Sequence, residues 1–163
     1  MMDVSVSELG NSLGLSKNTV DRYLDLLEKV FVIYCRTGFS RNLRKQITKS
    51  RRYYFYDNGV RNALINNFNP LNLRADVGQL WENYILSERS KRNLYCGRRI
   101  QSYFWRTYDQ QEIDLVEEAG GRLMAYEMNW ATRKAKAPAA WCKAYPESEF
   151  SVIDRKHYLG FIT

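Results

Sequence analysis

The chain has 163 residues, 45% of them hydrophobic and 14% aromatic, with a net charge of +7 and a pI near 9.4. That length suits one domain or two small ones with an ordinary buried core, and the aromatic content argues against disorder. Cys35, Cys96 and Cys142 form no CxxC, which argues against a disulfide framework or a cysteine-rich zinc site, and the longest apolar run, Val30 to Cys35, has the length of a strand rather than of a membrane span. No basic-then-apolar leader opens the chain, so a reducing cytoplasm is the expected compartment. The basic balance favours polyanionic partners. The single histidine, His157, is assigned no role.

Ser5-Val6-Ser7-Glu8 matches a capping box and predicts a short helix to about Leu13, broken at Gly14. Ser16 caps a second helix through about Lys29, and Val20, Leu24 and Leu27 recur at helical spacing to mark its buried face. Two helices about a Gly14-Leu15 turn have the form of a helix-turn-helix. The β-rich segments Phe31–Arg36 and Arg52–Tyr56 are expected to pair as a wing. From Arg36 to Arg52 the chain is rich in Arg and Lys and contains no acid. Early residues of the second helix face the groove in a DNA-reading helix-turn-helix. The expected DNA contacts are therefore Lys17, Asn18, Thr19 and Arg22 on the helix, and Arg41, Arg44, Lys45, Lys49, Arg51 and Arg52 around the wing. Asp21 and Asp25 share the helix and oppose phosphate. A merely solvated basic surface is the plainer alternative.

Asp57-Asn58-Gly59 signals a turn, with a short helix through Leu64 after it. The polar loop Asn66 to Asn72, with Pro70 inside, marks the expected boundary between an N-terminal unit, 1–66, and a C-terminal unit, 73–163. In the second unit, Asp76 to about Lys91 reads as a helix with the apolar stripe Val77, Leu80, Trp81, Tyr84 and Ile85 and the acids Glu82 and Glu88. Strands are expected over Ser102–Thr107, Glu112–Glu118 and Arg122–Asn129, then a helix around Ala135–Ala144 and a strand over Glu149–Ile153. The order is αβββαβ, so the fold class is α/β with one mainly antiparallel sheet.

Gly120-Gly121 suits a two-residue hairpin turn, because both positions can take positive φ. That turn pairs Ala119 with Arg122. It then sets Asp114 opposite Glu127 and Glu112 opposite Asn129 on one face, with Ile113 beside Met128 and Leu115 beside Tyr126 on the other. Opposed side chains have Cβ atoms roughly 4.5–5.5 Å apart, where like charges repel. Such a pair is offset by cations or holds a metal, and Mg²⁺ takes one or two carboxylates plus water and phosphate. A polar sheet face with arginine partners competes with the metal reading, and geometry alone favours it.

The helix and three strands, with an acid in the helix, Asp in "EIDLV" and Glu in "AYEMN", resemble the PD-(D/E)xK nuclease superfamily. The text from "VSVSELGNSLGLSKNTVDRYLDLLEKVFVIYC" to "RRYYFYDNGVRNAL", followed by "DVGQLWENYILSE", resembles the C-terminal half of a family of prokaryotic AAA-type ATPases. In that family a P-loop ATPase domain precedes a winged helix and a nuclease-like domain. The segments "LWENYILSE", "FWR", "EIDLV" and "YE" occur in the family's order, and the resemblance covers nearly the whole chain. It implies a winged helix-turn-helix followed by a restriction-endonuclease-like module. It also implies Asp114 and Glu127 as metal ligands and Glu82 as a further ligand or supporting contact. Active superfamily members place a Lys two residues after the second acid to help activate the attacking water. Here Asn129 stands there and supplies neither a cation nor a useful base. Lys134 or Lys136 could substitute from the following segment. The chain contains no GxxxxGK[ST], so no ATP site is expected in it.

These residues lead to a nucleic-acid-binding protein with a degenerate nuclease-like domain, expected to bind DNA and to hold Mg²⁺ weakly at Asp114 and Glu127 without turnover. A metal-dependent DNA endonuclease is the first alternative. A protein-interaction module for an acidic partner or a separate ATPase domain is the second.

Overall fold

Serine caps set the first two helices. In the computed structural model, which describes residues 5–41, 51–132 and 135–163, α1 spans Val6–Leu13 and α2 spans Lys17–Lys29. Ser5 Oγ accepts the Glu8 N–H at 3.3 Å, and Ser16 Oγ accepts the Thr19 N–H at 3.2 Å. Each bond satisfies one of the N–H groups that a helix start leaves unpaired. Gly14 ends α1 in the left-handed region, at φ 66°. Leu27, expected on the buried face of α2, is exposed, as are Tyr23 and Leu26. The reason is that α2 packs chiefly against α1 and β1, and Val20 alone of its residues is fully buried.

Strands β1 (Ile33–Thr37) and β2 (Arg51–Phe55) pair antiparallel, with Ile33 opposite Phe55 and Thr37 opposite Arg51. The pleat of β2 turns Arg52 and Tyr54 inward and leaves Arg51 exposed. This strand pair lies on the C-terminal part of the chain. Tyr54 packs with Trp81, Ile85 and Leu115, and Phe39 packs with Trp105 and Ile113. The Phe39 N–H bonds the Phe104 carbonyl at 2.7 Å, and Ser87 Oγ donates to the Tyr56 carbonyl at 2.7 Å. The core is therefore continuous across the polar loop that the sequence marks as a boundary.

Asp57 caps α3 (Asn58–Leu64), and α4 (Val77–Tyr95) runs about one turn past its expected end. The second sheet has the order β3-β4-β5-β6, formed by Gln101–Arg106, Glu112–Ala119, Arg122–Asn129 and Glu149–Asp154. Its first two pairings are antiparallel and β5 with β6 is parallel. Helix α5 covers Ala139–Ala144 and begins later than expected, because the proline ring of Pro138 disfavours helix in the residue before it. A last helix, α6, spans Leu159–Ile162. The fold is mixed α/β. Among the described residues no helix is long and apolar enough to cross a membrane.

The β4–β5 hairpin turns on Gly120 at φ 56° and Gly121 at φ 78°. Its register runs as expected from Ala119 opposite Arg122 to Leu115 opposite Tyr126. Beyond Leu115 it departs from expectation. Tyr103 on β3 faces Val116, but Trp105 faces Ile113, so Phe104 alone spans the two residues Asp114 and Leu115. This bulge gives β4 one extra residue and reverses which way Ile113 points. Ile113 packs with Trp105, Val116 and Ala125, whereas Leu115 and Met128 pack with Trp81 and Ile85. The expected apolar pairing of Ile113 with Met128 is not formed.

Candidate functional site

Asp114 lies in the bulge, and its Oδ2 accepts the Met128 N–H at 2.8 Å. Glu82 is buried on α4, and its Oε1 accepts the Tyr54 hydroxyl at 3.0 Å. Glu127 lies near the end of β5. Glu112 opens β4, and its Oε2 accepts Arg52 Nη2 at 2.7 Å. Arg52 is 1% exposed and lies 4.4 Å from the centre of the Phe104 ring. Acids from α4, β4 and β5 thus meet a tyrosine and an arginine from β2.

Burial pushes the Asp114 carboxyl well above the usual carboxylate range, and Glu82 and Glu127 push it the same way. The Met128 N–H and Arg52 oppose that rise. Burial, followed by Glu112 and Glu82, raises Glu127 to about 7, again against Arg52. Near neutral pH Glu127 is therefore only partly ionised, and Asp114 is shifted in the same direction. Burial and then Glu82 push the Tyr54 hydroxyl up, so it remains a donor.

The structure brings Glu82, Asp114 and Glu127 within electrostatic reach of one another. Asn129 closes β5, and its Oδ1 accepts the Ala131 N–H at 3.0 Å. Lys136 is exposed, and Lys134 lies outside the described residues. Two members of the pocket, Arg52 and Tyr54, are missing from the sequence-based site. Their signal was the two-residue spacing in Arg52-Tyr53-Tyr54, which puts both side chains on one strand face.

Magnesium bound here would need several oxygens in near-octahedral geometry. Asp114 Oδ2 already takes an N–H, Glu82 Oε1 takes the tyrosine hydroxyl and Glu112 Oε2 takes the guanidinium. No group of three acid, histidine or cysteine side chains among the described residues is arranged to hold a metal ion. Asp114, Glu82 and Glu112 each have one carboxylate oxygen engaged by a protein donor.

The residues expected to touch DNA separate into three sets. Lys17, Asn18 and Arg22 are exposed at the start of α2, and Thr19 is half-buried with its hydroxyl 2.8 Å from Ser16 Oγ. Arg41 and Arg51 are exposed, but Arg41 meets Glu118 at 3.4 Å and Arg51 meets Asp21 at 3.4 Å. Arg52 is corrected: it points inward to Glu112, where phosphate cannot reach it. Arg44, Lys45 and Lys49 lie outside the described residues.

Residues 2–71 match a domain of unknown function, DUF8612, and residues 77–159 match another, DUF4143. The latter is found in the C-terminal part of AAA-ATPase-like proteins. An uncharacterized protein of Mycobacterium bovis and one of Mycobacterium tuberculosis are each 30% identical over 126 residues, covering 76% of this chain and 28% of the relative. The chain thus spans less than a third of the length of these curated relatives. No solved structure matches.

Proposed function

The chain belongs to the DUF4143 family, and from that premise we propose that it binds DNA through a winged helix and carries a degenerate nuclease-like module that does not cut. The observation that carries this reading is the exposed start of α2. Lys17, Asn18 and Arg22 stand there in solvent, at the helix end whose dipole favours phosphate. Arg51 on β2 adds a cation whose exposed pairing with Asp21 a phosphate can displace. The degenerate part of the reading rests on Asn129, whose amide oxygen is engaged locally with Ala131 where an active nuclease would carry an ammonium.

Binding of this kind depends on counterion release, so it weakens steeply with salt and discriminates little between sequences. The test is duplex binding by fluorescence anisotropy over a salt series. Lys17→Gln, Arg22→Gln and Arg51→Gln are each expected to weaken binding and reduce the salt slope by about one. Unchanged binding and slope in all three would remove this surface from the interface.

A metal-dependent endonuclease is the second reading, supported by the convergence of Glu82, Asp114 and Glu127. Mg²⁺- or Mn²⁺-dependent cleavage by the unmodified chain, lost in Asp114→Ala, would establish it and overturn the degenerate assignment. The expected result is no cleavage. Asn129→Lys is the substitution that tests for gained cleavage.

A further inference from the structure

We propose that the loop after α4 and the tip of the β4–β5 hairpin form a second nucleic-acid contact, in which Arg98, Arg99 and Arg122 bind the phosphate backbone of DNA. The inference deepens the DNA-binding half of the reading above and rests on it, and its test separates failure of this surface from failure of α2.

From Arg89 to Arg106 the chain carries Arg and Lys but no acid, and the structure sorts these cations by use. Arg89 is locked to Glu117, Lys91 Nζ donates to Glu88 at 2.7 Å, Arg92 donates to the Thr163 carbonyl and Arg106 to Gln110. Arg98 and Arg99 are exposed, and among the described residues neither side chain has a hydrogen-bond or ion-pair partner. The backbone holds them in place. The Arg98 N–H bonds the Asn93 carbonyl at 2.9 Å and the Gly97 N–H bonds the Leu94 carbonyl at 3.1 Å, with Gly97 in the left-handed region at φ 63°. These bonds close the end of α4. β3 then begins at Gln101, paired with Glu118. The two arginines are thus fixed between a capped helix and a strand.

They line a depression of about 420 Å³ together with Gln101, Glu118 and the Gly120-Gly121 turn. Glu118, the acid in that lining, is already held by Arg41 at 3.4 Å. Gly121 also borders a second depression, of about 250 Å³, which sets Arg41 and Arg122 against Glu147. Arg122 is exposed and, among the described residues, its side chain is likewise unpaired. Cations therefore outnumber acids on both flanks of the turn. A cation after a helix C-terminus also complements the helix dipole, but that effect fades within a turn and does not account for Arg122. Guanidinium groups suit phosphate, whose oxygens accept their paired N–H donors. The first depression is open to solvent and its lining holds no aromatic ring, which disfavours an enclosed small molecule and base stacking alike. A polyanion needs no enclosure, because each neutralised phosphate releases counterions. Backbone contact without base reading is the recognition such a surface gives.

The experiment uses the full chain and a labelled mixed-sequence DNA duplex, with anisotropy recorded over a chloride series. Arg98→Gln with Arg99→Gln is expected to lower the salt slope by about two, and adding Arg122→Gln by about one more. Affinity near physiological salt should fall about tenfold or more in the triple variant. Arg98→Lys with Arg99→Lys keeps the charge and should keep the slope. The same series on Lys17→Gln with Arg22→Gln reads α2 separately. A full slope in the triple variant, with the α2 variant lowered, overturns the hairpin contact and leaves the α2 reading intact. A slope lowered in the triple variant alone supports the hairpin contact and removes α2. Absence of salt-dependent binding by the unmodified chain overturns both. If the Gln pair does not fold, Arg122→Gln decides alone, since it lies off the helix end, and an unchanged slope there overturns the proposal. Inorganic phosphate in place of chloride at equal ionic strength should displace DNA no better than chloride. Phosphate-specific displacement that vanishes in the Gln pair would make this a small-anion site and overturn the nucleic-acid assignment.

Discussion

Arg89 and Arg52 are both buried and both reach acids on β4, but their surroundings differ in charge balance. Arg89 meets one acid. Its Nε and Nη2 donate to the two carboxylate oxygens of Glu117 at 2.9 and 2.6 Å, and Asn93 adds a bond to Oε1 at 2.8 Å. The remaining Nη1 bonds the Phe161 carbonyl at 2.8 Å, and the guanidinium lies 4.2 Å from the Phe161 ring centre. This arrangement is closed and joins α4, β4 and α6. Arg52 meets Glu112 directly and influences Asp114 and Glu127, whose proton affinities remain raised. A bidentate pair can satisfy its own burial, whereas an excess of acid needs protons or another cation. The first region has the chemistry of a clamp and the second that of a site.

The sharpest way to break this comparison is to remove the acid from the closed pair. Glu117→Ala leaves the Arg89 charge buried without its carboxylate and is expected to destabilise the protein by roughly 3–5 kcal/mol. The acid bound to Arg52, Glu112, is 44% exposed at its side chain, but Arg52 itself is buried, so losing this partner leaves a charge that the neighbouring acids must offset. Glu112→Ala is expected to cost about 1–3 kcal/mol. Urea denaturation of both variants measures the difference. Equal losses would mean that the two arginines occupy equivalent structural pairs.

The two regions should also differ in response to pH. Glu127 has a folded pKa of about 7, above its ordinary value of 4.5, so the folded state binds its proton more tightly. Its contribution to stability is full below the unfolded value and is lost as pH rises through about 7. Asp114 shifts in the same direction. The protein should therefore be less stable on the alkaline side of neutrality than in mild acid. Glu127→Gln should remove part of that slope and stabilise the alkaline side, by less than the full shift implies because solvent screens this partly exposed group. Thermal midpoints across this range test the sign. A slope unchanged by Glu127→Gln would assign the pH dependence to other groups.

Tyr54 sharpens the picture at smaller scale, because its hydroxyl links β2 to Glu82 inside the pocket. Tyr54→Phe keeps the ring in the core but leaves Glu82 short of a donor. A cost of about 1–2 kcal/mol is expected. Chemical denaturation reads it. An absent cost would make the bond dispensable.

Local signals in the sequence were sufficient for much of this architecture. The Ser5 and Ser16 caps, Gly14, the Gly120-Gly121 turn and the strand order all appear where residue chemistry predicts them. That Asp114, Glu127 and Glu82 lie within electrostatic reach of one another accords with the family resemblance, whereas the hairpin register holds only from Ala119 to Leu115 and does not extend to Asp114. The bulge at Asp114-Leu115 was not legible, because it is set by where β3 pairs, and the hairpin turn carries no information about that strand. Arg52 failed for a related reason. Alternation shows that Arg52 and Tyr54 share a face, but a run of basic residues cannot reveal that this face meets acids 28 and 60 positions later. Leu27 shows the converse limit, since helical spacing identifies an apolar face without guaranteeing that it is covered.

Arg41 provides the weakest and most selective test. It bonds Glu118 and the Gly121 carbonyl at 3.4 and 3.3 Å, but its side chain is 55% exposed. An ion pair in solvent gains little, since water solvates both partners when they separate. Arg41→Ala should therefore change stability by no more than about 0.5 kcal/mol. If Arg41 belongs to the DNA-facing surface, the same substitution should reduce the salt slope of duplex binding by about one, through loss of one phosphate contact. Denaturation and anisotropy on the same variant separate these effects. A stability loss above about 1 kcal/mol would make Arg41 a packing residue akin to Arg89. Unchanged stability with an unchanged salt slope would confine the cationic surface of the N-terminal unit to α2 and Arg51.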